Sequence, residues 1–203
     1  MCGIFGEFGR VLSSKNQFMQ LNELSFRRGP DMSGYWTNDE ICQLGFNRLS
    51  ILDLSTNGNQ PMISNNGNLV MIMNGEIYNY LDIKKMLDCK PDTFMSQTDA
   101  EVLLTAFKEW GINKTLEIIN GIFAIALFDI NKKSLHLIRD FAGVKPLYFG
   151  IKEKTMVFAS QYDQIFGHPL FKDSKVANEN NLYDFLQFGY IQAPNAFFKN
   201  TWQ

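Results

Sequence analysis

Ile122-Phe123-Ala124-Ile125-Ala126-Leu127-Phe128 is apolar at every position. A strand with one wet face alternates apolar and polar residues, so a run without alternation belongs to a strand covered on both faces. Outward from this run, the turn Asn131-Lys132-Lys133-Ser134 leads into a strand at Leu135–Arg139, with further strands at Leu147–Ile151 and Met156–Ser160. Upstream, short strands are expected at Ser33–Thr37, Ile41–Leu52, Leu69–Met73 and Ile77–Tyr78. Turn-rich stretches, Thr56-Asn57-Gly58-Asn59 and Ser64-Asn65-Asn66-Gly67-Asn68, separate them and imply antiparallel hairpins. Helical spacing appears in Asn16–Phe26, Tyr80–Leu87 and Asp99–Trp110, the last opened by the capping-box pattern Thr98-Asp99-Ala100-Glu101. An antiparallel sheet covered on both faces requires layers, which predicts an α+β sandwich of two stacked sheets with helices outside.

The 203 residues suffice for one large domain, and 45% hydrophobic with 20% charged residues is a globular composition. A net charge of −2 supplies no basic excess for phosphates or anionic lipid, so no nucleic-acid or membrane partner is expected. There is no apolar run of roughly 18 residues, and Met1–Lys15 lacks a signal-peptide pattern, so the expected location is cytoplasmic. The cysteines at 2, 42 and 89 show neither CxxC nor Cys/His zinc spacing, which suits a reducing compartment and argues for no metal. After Gly167-His168-Pro169 come a polar stretch, a short helix at Leu182–Phe188 and an end at Gln203 without a stop signal. The expected division is a domain over 1–170 and a connecting segment over 171–203.

Cys2 opens a short apolar, glycine-punctuated strand, Cys2-Gly3-Ile4-Phe5-Gly6-Glu7-Phe8. With Met1 removed, its thiol would lie beside a free α-amine of reference pKa about 7.7–8.0, and one residue would supply both nucleophile and base. A small residue starting a strand is the plainer account. Asn74-Gly75 can provide two oxyanion donors or be a simple hairpin turn. Arg48, in an apolar strand, needs a partner: a ligand carboxylate or a structural ion pair. Asp99 sits where a helix dipole favours an anion, yet with Glu76 it could instead hold an ammonium group. Together with Arg48 these carboxylates would form a receptor for an α-amino acid, if they converge.

Taken in order, Met1-Cys2-Gly3-Ile4-Phe5-Gly6, Arg28-Gly29-Pro30-Asp31, Arg48-Leu49-Ser50-Ile51, Asn74-Gly75-Glu76-Ile77-Tyr78-Asn79 and Arg139-Asp140 with Gly143-Val144-Lys145-Pro146-Leu147-Tyr148 form a recognisable set. It resembles the glutaminase domain of glutamine-dependent asparagine synthetases, among the class II amidotransferases. The resemblance implies a four-layer α/β/β/α sandwich of the N-terminal nucleophile hydrolase type. It implies L-glutamine as substrate, Cys2 as nucleophile, and Asn74 and Gly75 as oxyanion donors. Arg48 would take the α-carboxylate, Glu76 and Asp99 the α-amino group, and the backbone through Leu49, Ser50, Ile51 and Leu52 would line the pocket. Arg139, Asp140 and Lys145 would belong to a connection outside the catalytic machinery. Phe46-Asn47 before Arg48 and Ser96-Gln97-Thr98 before Asp99 depart from the commoner pattern.

Nothing resembles the Ser-Gly-Gly-x-Asp-Ser loop that binds ATP pyrophosphate in the synthetase domain. The resemblance therefore implies a linked ATP-dependent domain past Gln203, to which ATP and magnesium would belong, with no cofactor here and a homodimer compatible. The ammonia acceptor is not encoded in this stretch. Two competing readings are a catalytically silent glutamine-binding domain and a cysteine peptidase using His136 or His168.

Overall fold

The computed structural model describes residues 1–88 and 93–203. The apolar run lies within β6 (Gly121–Asp129), in a four-stranded antiparallel sheet. Its order is β4 (Met62–Ile63), β5 (Leu69–Ile77), β6, then β7 (Ser134–Arg139). Successive side chains of β6 point to opposite faces, and both faces are dry. Phe123, Ile125 and Leu127 pack among helices α2 (Tyr80–Met86), α3 (Asp99–Trp110) and α4 (Ile112–Ile118). Ala124, Ala126 and Phe128 face the second sheet.

That sheet has six antiparallel strands. Their order is β10 (Thr201–Trp202), β8 (Tyr148–Lys152), β9 (Thr155–Ala159), β1 (Gly3–Gly9), β3 (Cys42–Arg48) and β2 (Met32–Thr37). Ile4, Leu44, Phe46 and Phe158 meet the first sheet across the inter-sheet core. On the opposite face Phe5, Val157 and Ala159 pack with Phe18 and Leu21 of α1 (Lys15–Glu23) and Ile165 of α5 (Tyr162–Gly167). Burying each such side chain contributes about 1.5–3 kcal/mol. Helix, sheet, sheet and helix thus form four layers, the expected α+β sandwich. α6 (Glu179–Phe188) follows, and the chain returns to the sheet edge, where Phe171 is buried and β10 pairs with β8.

Several boundaries differ from expectation. β3 stops at Arg48 rather than reaching Leu52, and β5 runs unbroken through Asn74-Gly75-Glu76, with Asn74 opposite Ala124 and Gly75 opposite Phe123. The Asn-Gly pair is therefore mid-strand and no turn. A Cβ at Gly75 would stand 2.3 Å from the Ile122 carbonyl oxygen, so close approach of β6 requires the glycine. The capping box of α3 is half formed: Thr98 Oγ1 accepts from the Glu101 amide. The Glu101 carboxylate reaches further back, to the amides of Met95 and Ser96 at 2.8 and 2.7 Å. α4 and α5, too short to show a period, were not foreseen. Among the described residues no helix is long and apolar enough to cross a membrane. Cys2 and Cys42 are free thiols, and Cys89 lies outside the described residues.

Candidate active site

The ladder between β1 and β3 begins at Gly3 opposite Asn47, which leaves Cys2 just off the strand end, beside the residues that follow β3. The Leu49 amide donates to Cys2 Sγ at 3.4 Å, and the thiol faces the Leu49 carbonyl at 3.7 Å. Arg28 Nε fixes the Cys2 carbonyl at 3.0 Å. Below the strand start, the buried Asn47 side chain donates to the Asn22 carbonyl and to Ser25 Oγ at 2.6 and 2.8 Å. Burial pushes the Cys2 thiol above its ordinary pKa; the Leu49 amide, the N-terminal ammonium and Arg48 pull it down, and Asp99 pushes it up. The net rise keeps sulfur protonated at rest, so an attack requires a base.

A cavity of about 160 Å3 opens beside the thiol, bordered by Cys2, Arg48, Leu49, Ile51, Leu52, Asn74, Gly75, Glu76 and Asp99. Ser50 alone among the expected residues does not border it; its amide turns away to Asp31 Oδ2 at 2.7 Å. Neither His136 nor His168 borders it; His168 is buried elsewhere, with Nε2 3.2 Å from Glu7. A cysteine–histidine pair therefore has no geometry here.

Asn74 is 1% exposed, and its Nδ2 has no hydrogen-bond partner among the described residues. A buried amide donor left open typically costs about 1–3 kcal/mol, so its placement calls for an acceptor that arrives from outside.

Arg48 is buried, and no carboxylate lies within ion-pair distance among the described residues. Its Nη1 donates to the Ser55 carbonyl at 2.6 Å and to Asn59 Oδ1 at 2.8 Å, and Nη2 donates to the Asp53 carbonyl. The arginine thus gathers its own downstream loop, and a Cβ on Gly58 would strike Nη2 at 2.3 Å. Asp53 continues the clamp by accepting from the Gln97 and Ser55 amides at 2.9 and 2.8 Å, bonds that hold its carboxyl below the usual range.

Asp99 begins α3, accepts from the Ile77 and Ala100 amides at 2.8 and 2.9 Å, and has no cationic partner among the described residues. Burial raises its carboxyl above the usual range, the two amides pull it back, and Glu76 adds to the rise. The exposed Glu76 shares the cavity wall. One wall thus carries carboxylates without a cation, and another a guanidinium without an anion. A zwitterion satisfies both.

Residues outside the expected set also border the cavity, among them Lys145 and Gln60. Lys145 does so because Asp140 Oδ2 accepts from its amide at 3.2 Å and Arg139 Nε donates to its carbonyl at 2.7 Å. Lys145 lies within one quoted motif and Gln60 directly after the turn stretch Thr56-Asn57-Gly58-Asn59, and only the folded loops bring them to the cavity.

Comparison with known proteins defines the class. A family profile described as "Glutamine amidotransferase domain" matches residues 1–203, and the chain belongs to that family. Its curated relatives include asparagine synthetase [glutamine-hydrolyzing] 1 of Bacillus subtilis, 30% identical over 97% of this chain and 31% of the relative. A second B. subtilis asparagine synthetase is 40% identical over 70% of this chain and 18% of its own length. The chain therefore spans about a third or less of these relatives. Among solved structures, the glutamine phosphoribosylpyrophosphate amidotransferase of B. subtilis superposes with a TM-score of 0.65 at 18% identity, covering 80% of this chain and 42% of that one. This likeness concerns the fold alone, the layered sandwich of two antiparallel sheets described above.

Proposed function

We propose that the chain hydrolyses the side-chain amide of L-glutamine to glutamate and ammonia through a thioester on Cys2. With Met1 removed, the Cys2 α-amine takes the thiol proton through a water. The sulfur bonds to the amide carbon, and the carbonyl oxygen becomes an oxyanion held by Asn74 Nδ2 and the Gly75 N–H. The same amine hands the proton to the departing nitrogen, the carbon–nitrogen bond breaks and ammonia leaves. Water then adds to the thioester, and cleavage of the carbon–sulfur bond returns the thiol and releases glutamate. Arg48 holds the α-carboxylate, Asp99 and Glu76 hold the α-ammonium, and Leu49, Ile51 and Leu52 form the side of the pocket. The observation that supports this reading is the buried, unpartnered Asn74 Nδ2 bordering the same cavity as Cys2.

The ammonia goes to an ATP-dependent amidating domain joined beyond the connecting segment, as the names and greater length of the relatives support. The experiment is glutamate release from glutamine by the purified chain, with intact mass recorded on the same sample and Cys2→Ala as control. Turnover in a species lacking Met1, abolished in Cys2→Ala while glutamine still binds, is expected. Glutamate release that survives Cys2→Ala would overturn the thioester route. Binding without turnover in the Met1-free chain would leave a glutamine-binding domain.

A further inference from the structure

Gln60 sits between the loop gathered by Arg48 and the start of β4. Its backbone rests against β2, where a Cβ on Gly34 would stand 1.8 Å from the Gln60 carbonyl oxygen. Its side chain is held as firmly: the Met73 amide donates to Gln60 Oε1 at 2.6 Å. An amide group alone leaves its oxygen and nitrogen interchangeable, but a backbone N–H can face only the oxygen. The free end is therefore Nε2, a pair of N–H donors. The residue is 8% exposed, and no protein acceptor meets Nε2 among the described residues.

Gln60 and Arg48 both border the cavity beside Cys2 and also a smaller one lined by Ser33 and Asn59. The guanidinium has five N–H groups. Three are used by Ser55, Asn59 and Asp53, leaving two, and Gln60 with its free amide donors borders the same two cavities. Two largely buried residues that offer free donors and no free acceptor are complementary to an anion with several lone pairs. Asn74, an open donor that borders the same cavity, follows Met73 and on the proposed reading serves the reacting amide, so Gln60 is left for the opposite end of the substrate.

We propose that Gln60 determines substrate specificity by donating from Nε2 to the α-carboxylate of the ligand, alongside Arg48. The inference rests on the glutamine reading above and deepens it. A hydrogen bond to a charged group is worth roughly a tenfold to hundredfold change in affinity.

The test is calorimetric titration of the full chain in a Cys2→Ala background, which holds ligand without turning it over. The two ligands are L-glutamine and 4-aminobutanamide, which keeps the amide and the amine but has no α-carboxylate. Gln60→Met removes both donor and acceptor; Gln60→Glu keeps an acceptor for the Met73 amide and so protects the fold, while replacing the donors by a negative charge. Glutamine affinity is expected to fall roughly tenfold in Gln60→Met and further in Gln60→Glu, with 4-aminobutanamide binding unchanged. Folded variants that bind glutamine like the background, or that lose both ligands equally, would overturn the proposal. Failure of the background itself to bind glutamine would refute the glutamine reading and this inference with it.

Discussion

The two walls of the cavity are made in opposite ways. On one side Asn74, Gly75 and Glu76 belong to β5, a continuous strand paired residue by residue with β6. On the other, Leu49 to Asn59 form a loop whose shape is set by one guanidinium, with Ile51 and Leu54 left 76% and 83% exposed. The ladder holds the strand wall whether or not ligand is present, which is where donors for a developing charge must be if they are not to reorganise during reaction. The loop wall depends on Arg48, the residue proposed to meet the substrate as well. On the proposed reading the oxyanion donors Asn74 and Gly75 lie on the laddered side, and recognition of the α-carboxylate by Arg48 is coupled to the order of the loop.

Arg48→Ala separates the walls most sharply. It removes the carboxylate contact and the clamp together, and the expected loss of glutamine affinity is about 2–5 kcal/mol by comparison with other buried charge contacts. Limited proteolysis should cut within 49–59 in the variant and spare β5. Equal affinity in variant and wild type would return Arg48 to a purely structural role. Asn74→Ala probes the other wall, with turnover expected to fall roughly 10²–10³-fold and glutamine affinity little changed. Thermal stability should hold, because the lost amide nitrogen has no protein partner. A proportionate loss of binding and melting temperature would mean that Asn74 supports the strand and not the reaction.

The strand wall was legible in sequence for the same reason that it is rigid. Phe123 to Phe128 announce two dry faces, and both faces of β6 are indeed covered. Asn74-Gly75 carries a turn signature that local rules cannot separate from its real cause, the 2.3 Å approach of the Ile122 carbonyl to a would-be Cβ. That contact lies 47 residues away in the chain. On the loop wall, Ile51, Leu52 and Leu54 extend the apolar pattern of β3 and imitate a strand, whereas Arg48 folds back onto Asp53 and Ser55 and ends it. The convergence of Arg48 with Asp99, and the inward face of Gln60, depend on packing between elements and leave no periodic trace.

The smallest expected effect concerns the two carboxylates of the strand side. Asp99 is raised chiefly by burial, with Glu76 contributing. A carboxyl raised on folding favours the folded chain most below its ordinary value of about 3.9, and that contribution is lost as pH rises through the raised value. Once ionised in the ligand-free domain, Asp99 has the Ile77 and Ala100 amides but no cation to offset its burial, and a bound ammonium would supply one. Glutamine binding should weaken on acidification starting above the usual aspartate range, because protonated Asp99 attracts no cation. Glu76→Gln removes the neighbouring negative charge, so the Asp99 carboxyl ionises more readily and the acid limb of glutamine affinity shifts to lower pH. The same variant loses one ammonium contact, an exposed one worth about 0–1 kcal/mol, so affinity at neutral pH should drop only slightly. Calorimetric titrations across pH on both proteins separate the effects: an acid limb that stays in place would detach Glu76 from Asp99 and leave the buried carboxylate as the sole ammonium receptor.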